Sequence, residues 1–181
     1  MPAWHLHPAF PTTWDKIGGT AVGRWERAEI EQAFDRYQAA ALKGGTTGDW
    51  GDWVDCFTED CTYKEHLYGE MGGREAIRTW INRVMVETYP GNEMPHFPID
   101  WYVIDEDRGW IVCKVWNRMR DPGDGSVHQE YNLTVLHYAG DGRFSYEEDI
   151  YNPHHFGTML AGWEARRDEL GARNRPARKK K

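Results

Sequence analysis

The stretch WVDCFTEDCTYKEHLYGEMGGREAIRTW, residues 53–80, contains the signals that decide the fold. It opens with the end of a short helix, which the polar run TED stops. Residues 61–66 then alternate in side-chain character with a period of two, which is typical of a β-strand. Two glycines, Gly72 and Gly73, break the chain before a new helix opens at Arg74. The stretch therefore predicts helix, strand, turn and helix in succession.

Glu65 is the unusual residue of this strand. It shares a predicted face with Cys61 and Tyr63, and that face should point toward a core. A carboxylate in apolar surroundings is costly to charge, and a group in that position is suited to act as a general base. Two other arrangements stay open, because the side chain could point outward or pair with Arg74 or Lys64.

Composition predicts a single domain with an aromatic interior. The chain has 181 residues, among them 10 Trp, 9 Tyr and 6 Phe, which favours an aromatic-rich core or pocket. The 3 Cys are irregularly spaced, so neither a disulfide framework nor a zinc site is predicted. No signal peptide and no apolar run of membrane-spanning length are visible. We therefore expect a cytoplasmic protein that does not use a membrane as a partner.

Charge is distributed unevenly along the chain. The net charge is −7, but residues 163–181 have eight Lys or Arg against three acids, which leaves −12 for the rest. An acidic body is unsuited to nucleic acid, because phosphate contacts need basic charge. The basic end is expected to be a solvated tail, with contact to anionic surfaces as the alternative.

Three main helices are predicted. The first begins near Trp25, follows an apolar stripe and ends at Gly44-Gly45. The second is short, with Asp49 as its N-cap, and includes Phe57. The third follows the Gly72-Gly73 turn and ends before residues 89–91.

The second half of the chain predicts antiparallel strands. They cover residues 97–104, 110–119, 127–138 and 144–151, and turn-forming residues separate them. Helices followed by hairpins indicate an α+β fold with the helices on one face of a curved sheet. We expect an irregular arm over residues 1–22, the folded domain over 23–160, and a short helix with a basic C-terminal tail over 161–181.

The sequence FTED at 57–60, followed by GREAI at 73–77, resembles the nuclear transport factor 2-like superfamily, and its SnoaL-like branch most. The resemblance covers residues 24–157. It implies a cone-shaped, curved antiparallel sheet wrapped around the long N-terminal helix, with an apolar cavity inside. It also implies a homodimer that forms through the outer face of the sheet.

Within that superfamily the chain is similar to ketosteroid isomerases. In those enzymes a tyrosine on the long helix donates to the substrate oxyanion, and the resemblance assigns this position to Tyr37. Their acidic proton shuttle lies five positions after the Asp of the FTED-like motif, which is Glu65 here. Their second acid corresponds to Thr134, which cannot act as an acid, so a related proton transfer fits better than steroid isomerisation. A core position for Tyr37, with its hydroxyl satisfied, is the alternative.

Histidine supplies the third catalytic candidate. In scytalone dehydratase-type relatives a histidine near the position of His96 moves a proton during the elimination of water. Imidazole titrates near neutral pH and suits that work, although His96 could equally cap a strand. His154 and His155 are adjacent on predicted extended backbone, so they should point apart rather than chelate one metal.

The remaining candidates are predicted to contact substrate: Tyr63, Trp101, Asn117, Asn132, Thr134 and Tyr151. Trp101 could instead belong to the core or a dimer surface. Residues 147–149, with the sequence EED, are interpreted as an acidic strand edge that favours solubility. No metal or cofactor site is predicted.

These observations predict a cofactor-independent enzyme, a lyase or isomerase. It would use proton transfer in an apolar pocket to dehydrate, isomerise or cyclise a small apolar or cyclic molecule, polyketide-like or steroid-like. Two alternatives share the fold: a non-catalytic module that binds an apolar ligand, and a dimerisation protein whose cavity is filled.

Overall fold

The structure is a computed structural model that describes residues 24–173. A long helix, α1 (Arg27–Thr47), is followed by the short helix α2 (Gly51–Val54). The apolar stripe predicted for the first helix faces the core, except for its last residue, Leu42, which is 53% exposed. The buried members of that stripe are Ile30, Ala33, Phe34, Tyr37, Ala40 and Ala41.

The end of α1 lies later than predicted. Gly44 stays helical and buried, because the indole of Trp50 packs directly against it. A Cβ at that position would lie 2.5 Å from the indole, so the glycine permits a close approach rather than a break. Gly48, with a φ of 80°, ends the helix and donates its N–H to the carbonyl of Gly44.

Strand β1 (Phe57–Glu65) begins earlier than predicted. Phe57, assigned to a helix from the sequence, is the first residue of the strand and is fully buried. A second strand, β2 (Gly69–Gly72), pairs antiparallel with β1 and is not predicted at all. Its four residues include two glycines, and such a composition gives no strand signal.

Helix α3 (Arg74–Asn82) begins where the sequence predicts, directly after Gly73. It buries Ile77, Trp80 and Ile81 on one face. A π-helical turn (Arg83–Glu87) and a 3-10 turn (Gly91–Glu93) then lead toward the sheet.

Four more strands form consecutive hairpins. They are β3 (Ile99–Asp105), β4 (Trp110–Arg118), β5 (Gln129–Gly140) and β6 (Arg143–Ile150). The six strands make one curved, open sheet with the order β2-β1-β6-β5-β4-β3. The α+β class is confirmed, but the expectation of a wholly antiparallel sheet is wrong for one pair, because β1 and β6 run parallel.

A fourth helix, α4 (Pro153–Arg173), is longer than the short helix expected after residue 161. The indole of Trp163 is buried and donates its N–H to the carbonyl of Arg120 at 2.7 Å, which holds the helix against the sheet end. The predicted arm over residues 1–22 and the tail beyond Arg173 lie outside the described residues.

The core lies between the helices and the inner face of the sheet. Cys56, Cys61 and Cys113 are all buried and free, as the irregular spacing predicts. Over residues 24–173 no helix is both long and apolar enough to cross a bilayer.

Candidate active site

A cavity of about 280 Å³ lies between α1, α3, α4 and the inner face of the sheet. Most of its wall is aromatic or aliphatic. Its polar side chains come mainly from β1, β5 and β6, where alternate residues point inward. The polar residues that line it are Tyr37, Gln38, Tyr63, Glu65, Tyr68, Asn117, Asn132, Thr134, Glu147, Asp149 and Tyr151.

Glu147 is the most deeply buried acid of the site, with 2% of its surface exposed. The hydroxyl of Tyr37 donates to its Oε1 at 2.8 Å, while its Oε2 has no hydrogen-bond partner. Burial raises the pKa of Glu147 well above its usual value, and the nearby charge of Asp149 raises it further. Both effects favour the protonated form of this carboxyl.

Asp149 lies two residues further along β6, on the same inner face. Its Oδ1 accepts from Asn132 Nδ2 at 2.5 Å and from Thr134 Oγ1 at 2.6 Å, and its Oδ2 accepts from the Tyr63 hydroxyl at 2.5 Å. Burial raises the pKa of Asp149 to about 6, although these hydrogen bonds partly offset the rise. Neutral pH lies only slightly above this pKa, so Asp149 is mostly ionised there.

Two asparagines extend the network from Asp149 toward the next strand. Asn117 Nδ2 donates to Asn132 Oδ1 at 2.6 Å, and Asn132 Nδ2 also lies 2.7 Å from Thr134 Oγ1. Since Asn132 and Thr134 are both almost fully buried, their amide and hydroxyl orientations are fixed by these partners. The network holds the Asp149 carboxylate in one position.

Glu65 does not sit in the unpartnered apolar surroundings expected for it. Its Oε2 accepts the backbone N–H groups of Leu67 and Tyr68, each at 2.7 Å, and its Oε1 accepts the hydroxyl of Tyr151. These three donors fix the position of the Glu65 carboxyl group. The predicted inward orientation is found, but the carboxylate also closes the turn between β1 and β2.

The structure brings seven of the nine predicted site residues together around the cavity: Tyr37, Tyr63, Glu65, Asn117, Asn132, Thr134 and Tyr151. His96 is not among the lining residues. It accepts the N–H of Arg118 through its backbone carbonyl in an isolated β-bridge, which matches the strand-end alternative. Trp101 pairs in register with Lys114 on the outer face and is 45% exposed, so it does not contact the cavity.

The interpretation of residues 147–149 as a solvated strand edge is wrong. β6 lies between β1 and β5 inside the sheet, and its inward side chains Glu147 and Asp149 are the two acids nearest the aromatic core. The sequence signal that was missed is the alternation of side chains along a strand. Glu147 and Asp149 point to one face, while Glu148 between them points to the other face and pairs with Lys64 at 2.7 Å. Residue 147 and residue 149 thus occupy core positions of a central strand.

Comparison with known proteins agrees with this architecture. Residues 24–138 match the sequence profile of the SnoaL-like domain, which is more than half of the chain. The chain belongs to the SnoaL-like family. No curated protein sequence matches it significantly.

Solved structures share the SnoaL-like fold at low sequence identity. A LEH-like epoxide hydrolase from M. tuberculosis superposes with a TM-score of 0.58 at 13% identity, covering 76% of this chain and 93% of that one. The BvnE pinacolase from Penicillium brevicompactum has a TM-score of 0.56 at 13% identity, with 77% and 92% covered. An NTF2-like protein from Anabaena variabilis has a TM-score of 0.53 at 14% identity, with 72% and 95% covered.

These likenesses establish the fold of this SnoaL-like protein and not its reaction. Within residues 24–173, no three His, Cys, Asp or Glu side chains are arranged to hold a metal ion. The chemistry has to be argued from the carboxyl groups of the cavity.

Proposed function

We propose that this SnoaL-like protein is an enzyme that moves protons on a small, mostly apolar molecule without a cofactor. The supporting observation is the pair of acids on one face of β6: a buried Glu147 with a free Oε2, and an Asp149 that ionises near neutral pH. Acids pushed to different protonation states in one cavity are suited to act as general acid and general base.

Asp149 is the proposed base. Both lone pairs of its Oδ1 are used by Asn132 and Thr134, but its Oδ2 keeps one lone pair beyond that used by Tyr63. It takes a proton from a carbon of the substrate that an adjacent group activates. Since its pKa is about 6, it is ionised at pH 7 and still basic enough to accept that proton.

Glu147 is the proposed acid, and Tyr37 is its positioning residue. The Tyr37 hydroxyl donates to Oε1, so the acidic proton is placed on Oε2, which has no hydrogen-bond partner. In a dehydration the C–H electrons form the new C=C bond as Asp149 takes the proton. The C–O bond breaks and the oxygen leaves as water with the proton of Glu147. Isomerisation and cyclisation use the same two transfers on other atoms.

The lyase or isomerase class follows from these steps, and the other two functions fit less well. A filled dimerisation module would leave no cavity, and a purely apolar-ligand module would not place three carboxyl groups on its wall. The cavity is near the lower end of the ~300–1,000 Å³ range of ligand pockets, which suits a molecule of one or two rings.

The test uses a panel of activated substrates that includes 5-nitrobenzisoxazole, whose base-catalysed ring opening releases a coloured phenolate. D149N should lower kcat by ~100-fold or more in every reaction that the wild type catalyses. E147Q and Y37F should slow reactions whose leaving oxygen must be protonated but not the ring opening, whose stable phenolate leaves without a proton, while E65Q should act mainly through binding. E59Q, on the same strand as Glu65 but fully outside the cavity, is the control. Equal rates in D149N and wild type would refute the proposal.

A further inference from the structure

The charge balance of the cavity is one-sided. Three carboxyl groups line it, from Glu65, Glu147 and Asp149, and the described lining residues include no Lys, Arg or His. A buried negative charge without a counter-ion is unfavourable unless something that binds there compensates it. The cavity is therefore built to receive hydrogen-bond donors or positive charge rather than an anion.

The basic groups nearest to the cavity are engaged elsewhere. Lys64 and His66, which flank Glu65 in the sequence, both contact Glu148 on the opposite face of the sheet, at 2.7 and 3.3 Å. Within the part of the chain that the structure describes, no cation lines the cavity beside Glu65 and Asp149, although the charge of His66 lowers the pKa of Asp149 from outside it. Their hydrogen-bond partners are neutral N–H and O–H donors.

The unpartnered Oε2 of Glu147 also points to a ligand. This oxygen is inaccessible to bulk water, and its residue is 98% buried, yet no protein group bonds to it. A buried polar atom without a partner costs about 1–3 kcal/mol, and in its protonated form this oxygen lacks a hydrogen-bond acceptor, which the uncharged part of a ligand can supply.

Aromatic rings complete a site for positive charge. Trp53, Tyr63 and Trp80 line the cavity, with ring centroids 6.0 Å apart for Trp53–Tyr63 and 4.9 Å apart for Tyr63–Trp80. Ring faces attract ammonium groups, and most strongly where water is excluded. The same walls can hold the apolar body of the ligand.

We infer that the substrate is an organic cation, an amine that is protonated at neutral pH, with its ammonium group between Asp149 and Glu65 and its apolar body against Trp53 and Trp80. This inference rests on the proposed function only in that it calls the bound molecule a substrate. The preference for positive charge follows from the lining groups whether or not they catalyse a reaction.

The test compares three probes of one shape: benzyltrimethylammonium, the uncharged neopentylbenzene and the anionic phenylmethanesulfonate. Affinity for the full chain at pH 7.5 is measured by quenching of tryptophan fluorescence, since Trp50, Trp53 and Trp80 line the cavity. The cation should bind at least about tenfold more tightly than the uncharged probe. The anion should bind more weakly than both.

Variants that remove one charge show which carboxyl groups cause the preference for the cationic probe. D149N and E65Q should each reduce the preference for the cation over the uncharged probe by several-fold, with little change for the uncharged probe itself. E59Q removes the same charge from the same strand outside the cavity and should change neither affinity. If one cavity variant fails to fold, the other and the wild-type probe series still decide the matter.

Two outcomes separate this inference from the proposed function. Equal or weaker binding of the cation by the wild type would overturn the inference, even if uncharged substrates were turned over. A strong preference for the cation, lost in D149N, would support it even if no member of the substrate panel reacted.

Discussion

Glu147 should make folding less favourable as pH rises. Its folded pKa lies well above its value in an unfolded chain, so between about pH 4.5 and the folded pKa the folded state holds a proton that the unfolded state has released. The free energy of unfolding then falls by about 1.4 kcal/mol for each pH unit. E147Q keeps the acceptor for Tyr37 and removes the titration, so its stability should be less dependent on pH.

Urea unfolding at several pH values between 6.5 and 8 measures this effect. Asp149 also lowers the free energy of unfolding as pH rises. Because its folded pKa is about 6, most of that change occurs below pH 6.5. E147Q should be at least as stable as the wild type at pH 8. An unchanged slope in E147Q would contradict a neutral Glu147, and E59Q should retain the wild-type slope.

The ionisation of Asp149 should determine how kcat/KM depends on pH on the acidic side of neutrality. As the base it must be ionised, so kcat/KM for the ring-opening probe should rise tenfold per pH unit below about 6 and level off above it. Glu65, Glu147, Tyr37 and Tyr63 share the cavity, so the apparent midpoint belongs to the whole cluster. A profile that is flat from pH 5 to 7 would exclude Asp149 as the base.

Individual residues of the site differ in how well the sequence predicts them. Glu65 is found from the strand period beside a turn signal, and Tyr37 is found from the family resemblance together with its place on the apolar stripe of the long helix. Glu147 and Asp149 are missed because three consecutive acids favour a solvated strand, and only the place of β6 between β1 and β5 shows otherwise. Glu65 is held by two backbone N–H groups, and such partners cannot be predicted from the identity of the side chains.

At the scale of elements, α4 determines how closed the cavity is. Phe156 and Pro153 line the cavity at the start of the helix, and Trp163, 1% exposed, anchors it two turns later. Replacing Trp163 by Ala removes about 3–5 kcal/mol of burial and the hydrogen bond to Arg120. The helix should then open locally.

Hydrogen exchange measured by mass spectrometry tests the role of this anchor. W163A should exchange faster across residues 153–173 while β4 and β5 keep their protection, and the cavity should bind the aromatic probes more weakly. T158A, an exposed position on the same helix, is the control. Unchanged exchange in W163A would show that Trp163 does not hold α4 in place.

Elements with local signals are predicted well, and elements defined by distant partners are not. α1, α3 and the hairpins follow from apolar periods and turn residues. The parallel pairing of β1 with β6 joins strands that are far apart in sequence, and the short β2 exists only because β1 offers it an edge. The length of α4 is missed because its amphipathic pattern is weak and its anchor is a single tryptophan.

The molecule as a whole has two different faces on one sheet. The inner face holds the cavity. The outer face, which we define as Trp101, Trp110, Lys114, Trp116, Tyr131, His137 and Tyr146, is rich in aromatic rings. Trp110, His137 and Tyr146 stack in a row with centroids 4.5 Å apart, and Tyr131 is 42% exposed. Contiguous exposed aromatics of this kind are typical of protein interfaces.

We therefore predict a homodimer of about 42 kDa, twice the chain mass of 21.1 kDa, formed through the outer face. Light scattering after size exclusion should give that mass for the wild type. Y131E places a charge at the centre of the face and should yield monomers that still bind the cavity probes, since the cavity opens on the other side. L42E, an equally drastic change at an exposed position of α1, should stay dimeric. A wild-type protein that is monomeric at every concentration would contradict this prediction.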